Sequence, residues 1–352
     1  MGKTFRFGII GAGVIAPTHA KAISSLPGAE LVAVADIVPE KAEQLAETYH
    51  LKAYTDARRM LEREELDVVD ICTPSGLHGE HACQAMRAGC HIIVEKPMEI
   101  TLARMDEMLR VQQETGRKMA VISQHRFDAA SRRLRALLDE QALGRLVLGN
   151  ATIPWWRSQG YYDSGAWRST WALDGGGILM NQSIHSIDLL QWFMGPVKSI
   201  RAYTDTLVHQ MESEDVAAVA LRFASGALGT ISATTGAYPG VTTRIEICGN
   251  QGSAIIENDQ MRYLHLARDE KEAVGAYGQA NRQIESENAR EGTANDPAAL
   301  NADTHALQIA DMLRAIREDG KPLIDGYAAR HPVEIILGVY EASRTSKEIV
   351  LS

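Results

Sequence analysis

Between Gly175 and Trp192 the chain places Asn181 and His185 four residues apart and Asp188 three further on, behind three consecutive glycines. On one α-helix these spacings bring all three polar groups to a common face, while Ile178, Leu179, Ile187 and Leu190 anchor the others. A histidine with an amide one turn before it and a carboxylate one turn after it can exchange a proton while held in one tautomer. The same letters also describe a buried histidine that satisfies its own hydrogen bonds. His185 is therefore a candidate acid or base, Asn181 a partner for a substrate hydroxyl, and Asp188 the group that orients the imidazole and borders the substrate.

A second constellation is built for a phosphate. Residues 5–10 read as a buried strand, and Gly11-Ala12-Gly13-Val14-Ile15-Ala16 follows at once, opening a helix to about Ser25. Gly11 and Gly13 let the backbone approach a pyrophosphate, and Val14 and Ile15 lead into the helix N-terminus on which its charge rests. The next strand, 31–35, ends in Asp36, 20 residues after Ala16. A carboxylate there accepts from ribose hydroxyls and repels a 2′-phosphate, and the apolar Ile37 offers that phosphate nothing. The cofactor expected is NAD rather than NADP.

These groups need a scaffold, and the first third of the chain supplies one. Strand-like runs alternate with helical ones up to a strand at 119–124, which predicts a doubly wound parallel α/β sheet of Rossmann type. Ligands of such sheets bind at the carboxyl ends of the strands. Two ends are unusual: Thr73-Pro74-Ser75-Gly76-Leu77-His78 and Glu95-Lys96-Pro97, both expected to face the nicotinamide half of the cofactor. A helix to about Gln141 then leads into strand-rich runs at 146–153, 199–208, 216–223, 227–234, 242–248, 253–256 and 261–266. Short connections between them predict a large, mainly antiparallel open sheet in a C-terminal α+β domain. The expected domains are 1–125, for the cofactor, and 126–352, for substrate and oligomerisation, with a C-terminal helix over 328–345 able to pack back near the first. The polar run 267–301 reads as a long surface excursion or partly disordered.

Taken together, Gly11-x-Gly13, Asp36, Thr73-Pro74-Ser75, Glu95-Lys96-Pro97 and the Gly175–Asp188 stretch resemble the glucose-fructose oxidoreductase, inositol dehydrogenase and MocA family over nearly the whole chain. The resemblance implies a catalytic Lys96, often followed by a cis peptide to Pro97, and a Trp167-Arg168 segment close to the cofactor. It implies an NAD-dependent oxidoreductase that transfers a hydride between nicotinamide and a secondary alcohol or ketone of a sugar, sugar derivative or cyclitol. The cofactor set thus also takes in Gln124 and Arg168, and the substrate set is Lys96, His125, Trp167, Asn181, His185 and Asp188. Many family members carry Asp where this chain has Asn181, so the amide cannot raise the pKa of His185 as a carboxylate would. Some members instead use NAD in transient oxidation to cleave a glycoside or eliminate, which is the alternative reaction class.

Composition narrows the partners. With 36 basic and 45 acidic residues the net charge is −9, which disfavours nucleic acid and anionic membranes. Four cysteines without a C-x-x-C pair read as reduced thiols, and the absence of a signal-like or membrane-length apolar run points to the cytoplasm. A zinc site from His78, His81 and nearby cysteines lacks a second ligand pair, so no metal is expected. Trp155, Trp156, Tyr161, Tyr162, Trp167 and Trp171 form an aromatic block that suits a sugar-stacking wall, core packing or a subunit contact. The run Val216–Leu221 is apolar at successive positions, as though both sheet faces were covered, which predicts a homodimer or homotetramer.

Overall fold

The computed structural model describes residues 3–267 and 302–351, so the expected excursion over 267–301 lies outside the described residues beyond Ala267. Two compact units divide the chain: one from residues 3–124, 166–175 and 302–333, the other from 125–165, 176–267 and 334–351. A single cut after residue 125 does not express the return of 166–175 and 302–333 to the first unit.

The first unit is a six-stranded parallel sheet of β1 (Phe5–Ile10), β2 (Ala29–Ala35), β3 (Lys52–Tyr54), β4 (Val68–Ile71), β5 (His91–Val94) and β6 (Met119–Val121), in the order β3-β2-β1-β4-β5-β6. Continuous apolar runs such as Val68-Val69 and Ile92-Ile93 belong in strands buried on both faces, and helices between successive strands cover this sheet. The strand order reverses between β1 and β4, whose partners run from Phe7 opposite Val68 to Ile10 opposite Ile71. That reversal opens a crevice at the carboxyl ends. Helix Ala16–Ser24 packs Ala16, Ala20 and Ile23 against Phe7, Ile9 and Val34, and the late helix Ala302–Arg317 adds Ile309, Met312 and Leu313 to the same core. Burial of those three side chains accounts for the return of the late segment.

The second unit holds an eight-stranded sheet: β7 (Leu146–Pro154), β8 (Val197–Asp205), β9 (Val216–Phe223), β10 (Leu228–Thr234), β11 (Arg244–Gly249), β12 (Gly252–Glu257), β13 (Gln260–Leu266) and β14 (Ile349–Val350). Its order is β13-β12-β11-β7-β10-β9-β8-β14. The expected meander holds for β8 to β10 and for β11 to β13, but β7 is inserted between them, parallel to β10 and antiparallel to β11. Ala151 on β7 stands opposite both Ile231 and Ile245, and all three are buried, so the insertion completes one apolar face. Helix Ile184–Met194 covers that face with Leu189, Leu190 and Met194. A Cβ on Gly149 of β7 would lie 2.6 Å from Met194 Cγ, which is why the strand carries a glycine there. Along β9 burial alternates: Ala217, Val219 and Leu221 are buried while Ala218 and Ala220 are exposed, so among the described residues only one face is covered. Among the described residues no helix is long and apolar enough to cross a membrane.

Candidate active site

At the end of β1, Gly11 adopts φ +96, and a Cβ on it would lie 2.7 Å from the backbone of Cys72 at the end of β4. Only glycine lets the two strand ends approach this closely. Gly13 differs, since a Cβ there would meet no atom within 4 Å. Its lack of a side chain leaves open space at the start of helix Ala16–Ser24, as a pyrophosphate requires. Asp36 accepts from the backbone N–H of Ala12 at 2.7 Å through Oδ2 and from that of Val38 at 2.9 Å through Oδ1, so its carboxylate is locked beside the glycine turn. Val14 and Ile37 are 70% and 88% exposed, an apolar rim of the kind that an adenine covers. Thr73 Oγ1 and Gln124 Oε1 are buried with no hydrogen-bond partner, two orphaned polar atoms at strand ends. Open space, fixed carboxylate and orphaned polar atoms together fit NAD.

The Glu95-Lys96-Pro97 turn follows β5, and the Lys96–Pro97 peptide is cis. Glu95 is buried, with Oε2 accepting from the Lys96 backbone N–H at 3.0 Å and Oε1 lying 2.8 Å from His19 Nε2. His19 Nδ1 lies 2.7 Å from Asp70 Oδ2. Burial opposes charge on His19, but Asp70 beside it raises the imidazole well above its ordinary range. Burial alone would raise the Glu95 carboxyl; His19 and His305 hold it well below the usual carboxylate range. Burial pushes the neighbouring Cys72 thiol up to about 12, so it stays protonated. His78, expected to touch the cofactor, is instead enclosed between two carbonyls, with Nδ1 2.7 Å from Pro97 O and Nε2 2.9 Å from Thr73 O. Glu95 and His78 therefore correct the expected cofactor set: burial and these contacts make them supports of the turn. Ser75 is likewise buried, at the start of the short turn Ser75–Leu77 that leads into helix His78–Arg87.

In the second unit the glycine-led stretch departs from a single helix. Residues Ile178–Gln182 form a π-helical turn, with the Ser183 N–H bonded to Ile178 O at 2.8 Å, and an α-helix begins only at Ile184. Glu214 caps the start of the π-helical turn: the side chain accepts from the N–H groups of Gly177 at 3.0 Å and Leu179 at 2.9 Å and from the Tyr340 hydroxyl at 2.9 Å. The wider turn means that Asn181 and His185 lie on two successive elements rather than on one α-helix. Both remain half-buried.

Asp188 requires a second correction. It is 2% exposed, and its two oxygens accept from Arg126 Nε at 2.8 Å and Nη2 at 2.6 Å. Burial and this bidentate pair remove it from the surface a substrate can reach. The ring edge-on to His185 is instead that of His125, with centroids 5.0 Å apart. His125 Nδ1 lies 2.8 Å from Asp128 Oδ2 and 3.1 Å from Asp259 Oδ1. Burial opposes charge on His125, but Asp259 and Asp128 raise it well above the ordinary imidazole range. Asp259 arrives on the two-residue turn between β12 and β13, where it and Asn258 both have positive φ. These three side chains come close enough to consider a metal ion, yet their separations are hydrogen-bond lengths and one ring nitrogen serves both carboxylates.

The aromatic block is divided. Trp167, with Arg168 stacked 4.8 Å over its ring, and Trp171 belong to the first unit; Trp155, Trp156, Tyr161 and Tyr162 belong to the second. Tyr162 is buried and bonded to Thr235 Oγ1 at 2.7 Å, and the Trp155 N–H donates to Thr243 Oγ1 at 2.7 Å, both packing roles. His19, Asp70, Glu214, Asp259 and His305 escape a reading by motif alone.

Comparison with known proteins accords with this geometry. Residues 5–123 match the family model of the oxidoreductase family with an NAD-binding Rossmann fold, and residues 131–255 match the GFO/IDH/MocA C-terminal domain. Inositol 2-dehydrogenase of Rhizobium meliloti is 32% identical over 271 residues, covering 75% of this chain and 79% of that protein. D-glucoside 3-dehydrogenase of Escherichia coli is 32% identical over 209 residues, covering 56% and 57%. The crystal structure of the WlbA dehydrogenase from Bordetella pertussis, in complex with NADH and UDP-GlcNAcA, superposes with a TM-score of 0.84 at 30% identity over 99% of both chains. A glycine cradle, a locked acidic residue and two domain models in register lead to one conclusion: the chain belongs to the GFO/IDH/MocA family of NAD-binding oxidoreductases.

Proposed function

We propose that this protein is an NAD-dependent dehydrogenase that transfers a hydride between the nicotinamide and a secondary alcohol or ketone of a sugar, sugar derivative or cyclitol. The observation that carries the reading lies within one sheet: the Lys96 turn ends β5, and the ends of β1 and β2 carry the glycine cradle and Asp36. NAD supplies the hydride acceptor. Lys96 and His185 serve the alcohol oxygen, one taking its proton while the other stabilises the developing alkoxide, and Asn181 hydrogen-bonds a substrate hydroxyl. Arg168, Trp167 and His125 line the bound molecules, with Thr73 and Gln124 donating or accepting at the nicotinamide end. Relatives named for inositol and a glucoside favour ring polyols and net oxidation over the redox-neutral alternative.

The protein acts in the cytoplasm as a homodimer or homotetramer. Free thiols at Cys72, Cys83, Cys90 and Cys248 suit a reducing compartment. The exposed face of the large sheet, with the small side chains of Ala218, Ala220, Thr230 and Ser232 in register, would let a second copy approach closely.

A panel of cyclitols, sugars, sugar acids and nucleotide sugars, followed by NADH absorbance, tests the activity. Lys96→Met and His185→Ala should each lower kcat by roughly 10²- to 10⁴-fold with little change in NAD affinity. Near-native turnover in His185→Ala would return that residue to a structural role.

A further inference from the structure

We infer that His19 and His78 are positioning residues for Lys96: one imidazole grips the Glu95 side chain, the other the Pro97 carbonyl, and together they hold the turn that carries the lysine. This rests on the reading of Lys96 as a group that acts on substrate. His19 is 0% exposed on the helix that opens after the glycine cradle; Asp70 lies in β4 and Glu95 follows β5. A neutral imidazole has one N–H, yet His19 faces a carboxylate at 2.7 Å on one side and another at 2.8 Å on the other. It therefore donates from both nitrogens as an imidazolium, bridging the sheet to the turn. Glu95 passes the restraint on, because its second oxygen accepts from the Lys96 N–H at 3.0 Å. His305 closes the far side, its Nε2 3.9 Å from Glu95 Oε1 and its ring edge-on to that of His19.

His78 acts from the other end of the turn. Its ring lies between Pro97 O at 2.7 Å and Thr73 O at 2.9 Å; burial lowers its pKa, so it is neutral with one N–H to donate, and the shorter contact gives that bond to the residue after the lysine. A leucine in either place would fill the volume without the desolvation cost of an imidazole. What the rings add is direction: each N–H holds its oxygen acceptor in the plane of the ring. The lysine is thereby flanked by two restraints, one on the residue before it and one on the residue after it.

The test uses the full chain and two readouts. Lys96 labelling by an acylating reagent, without NAD, is measured by peptide mass spectrometry against the exposed Lys41. Steady-state kinetics on the best substrate of the panel give the second. In Glu95→Gln, which keeps the side-chain shape, and in His78→Asn, Lys96 labelling should rise by about threefold or more with Lys41 unchanged, and kcat should fall by about tenfold or more while KM and NAD affinity stay within about twofold. His19→Gln should show the larger effect; if it fails to fold, the other two variants decide. Unchanged labelling in the folded variants overturns the inference, whatever kcat does. Lys96→Met separates the two claims: near-native turnover there refutes the catalytic reading, and labelling then judges the clamp by itself.

Discussion

Two glycine-rich turns of this chain look alike as letters and differ in cause. At Gly11-Ala12-Gly13 the two glycines differ: Gly11 brings two strand ends together, and Gly13 faces space that no protein atom fills. At Gly176-Gly177 both glycines serve protein itself, because a Cβ on Gly176 would overlap the Tyr340 hydroxyl and one on Gly177 the Glu214 carbonyl oxygen. The first turn leaves room for a ligand; the second is packed around a buried carboxyl group. A glycine run therefore reports a close approach, and only the occupancy of the space around it tells what approaches.

The contrast is broken most severely at Gly177. An added methyl there meets backbone, which cannot rotate away, so Gly177→Ala should lose about 3 kcal/mol or more in urea unfolding. Loss of under about 1 kcal/mol would mean that the turn is less tightly packed than its geometry indicates. The pH dependence of Glu214 gives a comparable effect. Burial raises its carboxyl to about 7 from 4.5, against the pull of the Leu179 and Gly177 amides and the Tyr340 hydroxyl. Between those values the folded protein keeps a proton that the unfolded chain has released, so this contribution to stability falls as pH rises through the window and flattens above about 7. Glu214→Gln lacks that slope. Its stability relative to the parent should improve by about 3 kcal/mol between about pH 4.5 and pH 8, measured by urea unfolding at each end. A constant difference would show that the carboxyl titrates normally.

At the other turn the same kind of change should spare the fold. Gly13→Ala puts a methyl into open space, so stability should move by less than about 1 kcal/mol while NAD affinity drops by about tenfold or more in calorimetry. Unchanged affinity would place the pyrophosphate elsewhere. The smallest effect concerns the choice between cofactors. NAD should bind at least about tenfold tighter than NADP, a difference of about 1.4 kcal/mol, and Asp36→Ser with Ile37→Arg should shift the preference toward NADP. Equal dissociation constants for the parent chain would remove Asp36 from its assigned role.

What was legible in the sequence follows a physical line. The parallel sheet could be read because each strand and crossover is local: apolar runs of strand length alternate with amphipathic helices from Phe5 to Val121. The place of β7 could not, since nothing in residues 146–154 encodes a pairing with β10 and β11, whose registers are settled by the face they share with Ala151. Glu95-Lys96-Pro97 and Asp36 stand out as motif residues. The residues behind them do not, although signals existed. Asp70 sits among Val68, Val69 and Ile71 in a run buried on both sides, where an ionisable group demands a partner. His19 lies with Ala16, Ala20 and Ile23 on the buried stripe of its helix, so it too had to meet a polar group. Asp259 carried no such sign, because it reaches His125 only through the tip of a hairpin. The single helix expected over Asn181, His185 and Asp188 is instead a π-helical turn followed by an α-helix, and its start is capped by Glu214, distant in sequence, which no local pattern announces.

The most direct test of the dehydrogenase assignment follows the transferred hydrogen. The panel substrate turned over fastest is prepared with deuterium on its oxidised ring carbon and incubated with the protein and NAD, and both products are weighed by mass spectrometry. One deuterium should appear on the reduced nicotinamide for every ketone formed, with NADH accumulating in step. Product that forms without accumulation of reduced cofactor, the label having returned to the sugar, would contradict that assignment.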